Sequence, residues 1–432
     1  MNSPAAKRSS LKTEAIAGIT TFFTMAYIVI VNPQILSADG KTGMAFSGVL
    51  TATVLICFTM TLLMGLYAKL PFAVAPGMGI NAFFTYTIIL GKGVPWPAAL
   101  GIIFWAGVFF LLISATPIRE SIARAIPPEI RIASAAGIGI FLTFIGLKNA
   151  GFIVSDPVTF VKLGALGKPA LLTILGVAIS VLLMARKSPF AFMAAIVVVT
   201  IIAWALGMIT APPGILSLPD FKSVFFKLDI LGALKLSLLP AIVSIMFTDL
   251  FDSISTFIGV AHAGDLLDEH GHPRNLREGL IVDSLATLGA GLAGTSSGTA
   301  YIESVAGIQM GGRTGKTSIV TALCFLPCFF IAPLAGMVPP YATAAVLILV
   351  GAAMFKTVGQ INFSKLEEGV PAFLTLILIP LTFSITQGIL WGFISHVGLY
   401  LMVGRRRDIH PVMYPLALVS IGLLVLERVE FG

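Results

Sequence analysis

The sequence predicts an all-helical polytopic membrane protein with fourteen transmembrane segments, arranged as two inverted repeats of seven. Composition is the first of three observations behind this fold class. The 432 residues are 57% hydrophobic and 11% charged, with a mean hydropathy of +0.99. Soluble domains carry about 25% charged residues, so a soluble core of this length is excluded. The other two observations are the number of apolar stretches and a pair of interrupted segments.

Apolar stretches of membrane-spanning length recur along the whole chain. A transmembrane helix needs roughly 20 apolar residues. The pattern predicts fourteen spans, at 15–36, 44–67, 71–90, 95–117, 129–148, 170–185, 189–210, 236–260, 276–293, 295–311, 317–337, 340–357, 369–386 and 388–403. A further apolar stretch at 411–427 is short for a span, and we interpret it as interfacial or re-entrant. The polar, basic leader lacks a small-residue cleavage site, so we expect no cleavable signal.

The basic residues indicate the orientation of these spans. With the N-terminus inside, 18 of the 27 lysines and arginines fall on the cytoplasmic side and 8 fall outside. Such an excess of basic residues in cytoplasmic loops is the usual topology signal. We therefore expect a multi-pass protein of the cell inner membrane with both termini in the cytoplasm. The net charge of +7 is explained by this signal, and we expect no nucleic-acid partner.

Two segments interrupt the helical pattern, each in the third span of its half. Residues 71–87 start with a short extended run before Pro76 and Gly77, and residues 294–312 place Gly298 in a threonine and serine cluster. Paired interruptions at matching positions indicate an inverted repeat with half-helices near the bilayer midplane. Irregular backbone at that depth is tolerated only where it lines a cavity or is buried in protein. The alternative is two unrelated glycine-rich kinks.

Carboxylates within spans are candidate functional residues, because ionisable groups are costly there. Asp249 and Asp252 lie three residues apart on one helical face, Asp283 lies in the next span, and Glu303 follows the second interruption. The partial positive charge at the start of a half-helix stabilises the ionised form of a carboxylate, so we expect Glu303 to be charged. Two close carboxylates in a low dielectric cannot both ionise cheaply, so we expect mid-helix Asp249 to carry a proton. The alternative for each is a structural role.

Three shorter motifs are explained without a ligand. GGRTGKTS (311–318) resembles a phosphate-binding loop, but Met310 occupies the first glycine position, so we interpret it as a cytoplasmic basic turn. GAGLAG (289–294) lacks the strand of a dinucleotide site and indicates close helix packing. His262, His270 and His272 resemble a metal site only loosely, and we expect a solvated loop with no metal.

Longer motifs resemble the xanthine/uracil permease family, and more narrowly its AzgA-like branch of hypoxanthine/guanine/adenine permeases. The motifs are GITTFFTMAYIVIVNP (18–33), APGMGINAFFTY (75–86), FTDLFDSIST (247–256), VDSLATLGAGLAGTSSGTAYIESVAGI (282–308) and GGRTGKTS. The resemblance implies two inverted seven-span repeats with short strands in the third and tenth spans. It also implies a core domain, residues 1–117 and 233–338, and a gate domain, residues 118–232 and 339–432.

The resemblance implies a proton-coupled importer of purine nucleobases with alternating access, and no cofactor besides the proton. Its site residues would be Asp249 and Glu303 as acceptors, Asn81 as a polar partner, Thr299, and Tyr301, Phe83, Phe84 and Phe23 as stacking candidates. Proton coupling would involve Asp249, Asp252 and Asp283. For the aromatic residues the alternative is simple packing in the membrane.

One position bears on the branch, and two functional alternatives stay open. Ser253 occupies the place where pyrimidine-directed relatives often carry histidine, which favours the purine branch. The first alternative is an anion transporter or channel on the same fold. The second is a membrane enzyme, for which no convincing metal or nucleophile cluster is found in the sequence. The resemblance also suggests a homodimer within the lipid bilayer.

The orientation can be tested by cysteine labelling after replacement of the native Cys57, Cys324 and Cys328. We expect a cysteine placed in the 150–168 loop to react with an impermeant thiol reagent added outside intact cells. A cysteine in the 262–275 loop should react only after permeabilisation. The opposite pattern of labelling would contradict the orientation derived from the basic residues.

Overall fold

Helices form almost all of the regular backbone in the computed structural model, which describes residues 10–116, 126–212, 214–264, 266–267 and 273–431. The helices are α1 (Leu11–Met25), α2 (Ile28–Ser37), α3 (Phe46–Leu63), α4 (Met78–Ala82), α5 (Trp96–Ala115), α6 (Pro128–Asn149), α7 (Lys168–Ala185), α8 (Ala191–Ala205), α9 (Leu239–Ala263), α10 (Leu276–Ala293), α11 (Ser304–Gln309), α12 (Gly315–Phe325), α13 (Ala332–Gly336), α14 (Pro340–Phe355), α15 (Leu366–Thr382), α16 (Ile385–Met402) and α17 (Met413–Phe431).

Membrane-spanning length is reached by eight helical stretches within the described residues. Four more apolar helices are shorter, at Met78–Gly91, Ala191–Ala205, Gly315–Phe330 and Met413–Val425. Local breaks account for part of this shortening. The stretch predicted as span 71–90 is divided between a strand and α4, which continues as a π-helix at Phe83–Gly91. The predicted fold class of a helical membrane protein is confirmed at this level.

The two predicted interruptions contain short strands that pair with each other. Strand β1 (Val74–Pro76) runs antiparallel to β4 (Gly298–Ala300), with Ala75 opposite Thr299. The pairing is extended by backbone hydrogen bonds from the Gly77 amide to the Ser297 carbonyl, at 2.9 Å, and from the Tyr301 amide to the Ala73 carbonyl, at 2.9 Å. Residues more than 200 positions apart in sequence are thereby joined directly.

Small side chains let these strands lie deep in the helix bundle. A methyl group at Gly298 would lie 2.8 Å from the Ala286 side chain of α10, so only glycine lets β4 pack directly on that helix. Pro76 ends β1, where a missing N–H costs no ladder hydrogen bond. All six strand residues are buried.

The loop containing GGRTGKTS binds a carboxylate of the same chain. Glu14 of α1 is 1% exposed. It accepts hydrogen bonds from the amides of Arg313, at 3.3 Å, and Thr314, at 3.4 Å, and from the Thr317 hydroxyl. Free amides before a helix form an anion-binding nest, and an internal carboxylate lies in this one. The phosphate-loop resemblance thus reflects similar backbone chemistry with a different occupant.

A small hairpin in the 150–168 loop was not predicted. Strands β2 (Ile153–Asp156) and β3 (Phe160–Leu163) pair antiparallel, and Lys162 lies 2.8 Å from Asp156. The hydrogen bond from Lys162, followed by those from the Thr159 and Val158 amides, lowers the pKa of Asp156 to about 2. With four residues each, the strands are too short for sequence periodicity to reveal them.

Two further predictions concern the histidine-containing loop and the C-terminal stretch. Five residues of the histidine-containing loop, 268–272, lie outside the described residues, as does residue 265. The stretch 411–427, interpreted as interfacial or re-entrant, forms most of helix α17, which packs against α16 and α9.

Candidate functional site

The paired strands gather polar side chains from both halves of the chain. One cluster is centred on Asn32 of α2, whose amide nitrogen donates to the Thr53 hydroxyl at 2.7 Å and to the Thr295 hydroxyl at 2.8 Å. Beside it, the Ser296 hydroxyl donates to the amide oxygen of Asn81. Asn32 and Asn81 are both fully buried. Asn81, predicted to contact substrate, thus lies in this buried cluster.

Asp249 is held in a second buried cluster. It is 0% exposed, and one of its carboxylate oxygens accepts hydrogen bonds from Thr287 of α10 and from Ser297, the latter at 2.7 Å. Its other oxygen has no hydrogen-bond partner. Because hydroxyl donors stabilise a buried carboxyl group, this arrangement orients Asp249 towards α10 and the strands.

Asp283 has a similar environment on the neighbouring helix. It is 0% exposed and accepts a hydrogen bond from the Ser253 hydroxyl, which also lies 3.3 Å from the Thr299 hydroxyl. Asp283 and Asp249 are close enough to interact electrostatically. The structure therefore brings Asp249, Asp283 and Thr299 together around the strands, as a connected set of buried acids and hydroxyls.

Glu303 lies directly before the short helix α11, but its side chain does not cap that helix. Its carboxylate instead accepts a hydrogen bond from the Tyr27 hydroxyl at 2.6 Å. Tyr27 is itself fully buried, and its ring packs edge-on against Phe192 of α8, with ring centroids 5.2 Å apart. Glu303 is half-buried, and the hydrogen bond from Tyr27 orients its carboxylate.

A cavity lies between two groups of helices beside these clusters. It has an empty volume of about 490 Å³, part of it open to solvent. One side, which we call the α4/α9 wall, consists of Gly77, Gly79, Ile80, Thr248, Phe251, Asp252 and Ser255. The opposite α6/α14 wall consists of Arg131, Ser134, Ala135, Ile138 and Met354.

Polar groups without protein partners face this cavity. Asp252 is partly exposed, and its electrostatic neighbour is Glu303. The Thr248 hydroxyl and the Nε of Arg131 are buried and have no hydrogen-bond partner. Buried polar atoms are normally paired, so unpaired ones around a cavity are expected to bind a ligand or water. The arrangement offers an acceptor, a hydroxyl and a cationic donor within one space.

The aromatic candidates lie away from the cavity walls. Phe83 and Phe84 are at most 1% exposed, and the Tyr301 hydroxyl donates to the Pro76 carbonyl at 2.5 Å. Phe23 is half-buried, with its ring centroid 4.5 Å from that of Phe190. These contacts are the ones that the packing alternative predicts.

Comparison with known proteins establishes the family. A family model described as Permease family matches residues 12–390. Adenine permease AdeP of Escherichia coli strain K12 is 43% identical over 424 residues, covering 96% of this chain and 93% of AdeP. This chain belongs to the xanthine/uracil permease family. Guanine/hypoxanthine permease PbuG of Bacillus subtilis strain 168 is also similar, with 38% identity and 96% coverage of both chains.

A solved structure supports the transporter fold. The transmembrane domain of the cyanobacterial bicarbonate transporter BicA superposes with a TM-score of 0.64 at 18% identity, covering 88% of this chain and 97% of that domain. The predicted family and the predicted absence of enzymatic activity are confirmed, because the relatives are permeases. The protein is therefore an integral permease of the cell inner membrane.

Three residues of the polar clusters and the cavity were not predicted from sequence. Tyr27 lies within an apolar run and resembles any buried aromatic residue. Asn32 is a polar residue inside a span, which was a usable signal. Arg131 lies near the start of a predicted span, where a basic residue indicates the orientation of the span. Their roles depend on partners distant in sequence, such as Glu303 for Tyr27.

The cavity makes a prediction about chemical accessibility. In a permease lacking its native cysteines, Ser255→Cys should react with a small membrane-permeant thiol reagent, because Ser255 lines the cavity and is exposed. Ser253→Cys, two residues away but 0% exposed, is the matched control and should react at least about tenfold more slowly, since a buried thiol is inert. Equal labelling rates would contradict the placement of the cavity on this face of α9.

Proposed function

We propose that this permease imports purine nucleobases by proton symport. The observation that carries the proposal is the cavity whose α4/α9 wall offers the Asp252 carboxylate and the unpaired Thr248 hydroxyl, in a chain whose relatives are named adenine and guanine/hypoxanthine permeases. Every purine base presents both N–H donors and ring or carbonyl acceptors, so it matches such a cavity. The same relatives do not favour the anion-transporter alternative.

Asp252 is the carboxylate best placed to bind the base. It lies on the cavity wall without a hydrogen-bond partner in the described chain, whereas Asp249 is 0% exposed and bound by Thr287 and Ser297. In our proposal Asp252 accepts from the base, and Glu303, held by Tyr27, supplies a second acceptor. Asp249 stays a candidate contact, reached only if the hydroxyl cluster rearranges.

The proton is proposed to bind within the connected acids. Asp249 and Asp283 are buried in electrostatic contact, and like charges in a low dielectric do not both ionise cheaply. Asp252 interacts electrostatically with Asp249 on one side and with Glu303 on the other. A proton entering this group would change the charge next to the bound base, which is the physical requirement for coupling the two.

Alternating access is proposed to arise from motion of a core domain, residues 1–117 and 233–338, against a gate domain, residues 118–232 and 339–432. The α4/α9 wall belongs to the first and the α6/α14 wall to the second, so the cavity lies at their boundary. We further propose fourteen spans in two inverted repeats, which place β1 and β4 at equivalent positions. Cytoplasmic termini and a homodimer complete the proposal.

Uptake of radiolabelled hypoxanthine into proteoliposomes tests the function. We expect uptake that an inward proton gradient accelerates and that unlabelled guanine or adenine inhibits. Uracil at the same concentration should compete poorly, because Ser253 stands where pyrimidine-directed relatives often carry histidine. Failure of every purine to enter would overturn the proposed substrate class, and uptake indifferent to the gradient would overturn proton coupling alone.

A pair of isosteric variants tests the assignment of the binding carboxylate. Asp252→Asn should weaken hypoxanthine binding by roughly 30- to 1000-fold, since a lost charge-assisted hydrogen bond with a donor clash costs about 2–4 kcal/mol. Asp249→Asn, three residues away and bound to hydroxyls, should retain binding within about tenfold while losing acceleration by the proton gradient. Calorimetry on the purified variants, paired with uptake, measures both. The reverse order of affinities would return the role of base acceptor to Asp249.

A further inference from the structure

The cavity carries a single charged residue on each wall, among the described residues that line it. Arg131 lies in the first turn of α6, and Asp252 lies on α9 opposite. Their charges are opposite, and the helices that hold them belong to the two domains whose separation is proposed to change. This inference therefore rests on the proposed function and adds to it a role for the empty carrier.

Neither Arg131 nor Asp252 forms an ion pair within the part of the chain that the structure describes. The Nε of Arg131 is buried without a hydrogen bond, and its electrostatic neighbour Glu129 lies on the same helical turn. The electrostatic neighbour of Asp252 is Glu303, which has the same sign of charge. The ion pairs found in the described chain involve other residues. Because unpaired charges are costly within a membrane protein, both have a strong reason to pair when the walls approach.

A bound base and Arg131 would compete for the same carboxylate. Asp252 can accept hydrogen bonds from the N–H groups of a purine or from a guanidinium, and a guanidinium matches a carboxylate geometrically. While a base fills the cavity, it separates the two walls. When the cavity is empty, closure would bring the guanidinium towards Asp252.

We propose that Arg131 is a positioning residue of the transport cycle, which pairs with Asp252 when the cavity closes without a base. The pair takes the place of the base in the empty carrier and allows that carrier to return across the membrane. Net uptake requires this empty return, whereas exchange of one base for another does not. Arg131 should therefore matter for net uptake and hardly matter for exchange.

Two transport assays on Arg131→Gln test the proposal. We expect net hypoxanthine uptake into empty proteoliposomes to fall about tenfold, within the usual range of a coupling interaction, while exchange into hypoxanthine-loaded vesicles stays within about twofold of wild type. Arg131→Lys should recover part of the net uptake because it restores the charge. Arg186→Gln, which removes an exposed guanidinium that does not line the cavity, is the matched control and should leave both rates unchanged.

A cross-linking measurement reports closure directly and does not depend on transport. Cysteines replacing Ala135 and Ser255, one from each wall of the cavity, are introduced into a permease without the native cysteines. With Arg131 present, oxidative cross-linking should be fast in the empty protein and slowed by hypoxanthine. With Arg131→Gln added, the empty protein should cross-link as slowly as the occupied one.

The outcomes separate this inference from the proposed function. Equal loss of exchange and net uptake in Arg131→Gln would overturn the inference and indicate that the arginine contacts the base or maintains the fold. Unchanged net uptake, or cross-linking indifferent to Arg131, would overturn it as well. Wild-type protein that takes up no purine in either assay would overturn the proposed function, and the role of Arg131 with it.

Discussion

Backbone hydrogen bonding in a membrane-embedded chain is the constraint on which this structure depends. Two non-helical segments lie inside the helix bundle, where unpaired N–H and C=O groups would be costly. Strands β1 and β4 satisfy each other's groups across the antiparallel ladder and its flanking bonds. Within the described residues, each of these two strands pairs only with the other. Each half of the chain therefore requires the other before either interruption is stable.

That pairing explains where the functional groups lie. It carries Ser296 to Asn81 and Ser297 to Asp249, and it leaves Glu303 just beyond the strand, within reach of Tyr27. The clusters of hydroxyls and acids are consequences of strand register, because a shift of one residue would exchange inward and outward side chains. Gly77 and Gly79 follow β1 and leave space for the cavity.

The sequence predicted the two interruptions and the acidic residues, but it did not predict the different surroundings of Asp249 and Asp252. Spacing of three residues places Asp249 and Asp252 near one another on a helix, yet still about 60° apart around its axis. That angle is enough to point one at Thr287 and Ser297 and the other at the cavity. Which neighbour supplies hydroxyls is tertiary information that spacing does not contain.

The same limit applies to Arg131 and the β2–β3 hairpin. A basic residue at the start of a span indicates topology, and nothing local reveals that it also faces a carboxylate across a cavity. The hairpin is stabilised by an ion pair and a turn, both invisible to hydropathy. By contrast, the helical membrane fold and the paired interruptions depend on patterns many residues long, where single contacts matter little.

The carboxylate of Glu14 has a practical consequence for handling this protein. Ser10 caps α1 through the Thr13 amide, and Glu14 in the first turn of that helix binds the 313–317 loop. An affinity tag or a shortened N-terminus that disturbs residues 10–14 would remove the carboxylate that binds the amides of Arg313 and Thr314, which lie far away in sequence. Fusion partners for purification or imaging are therefore better joined before Ser10, with a flexible spacer between.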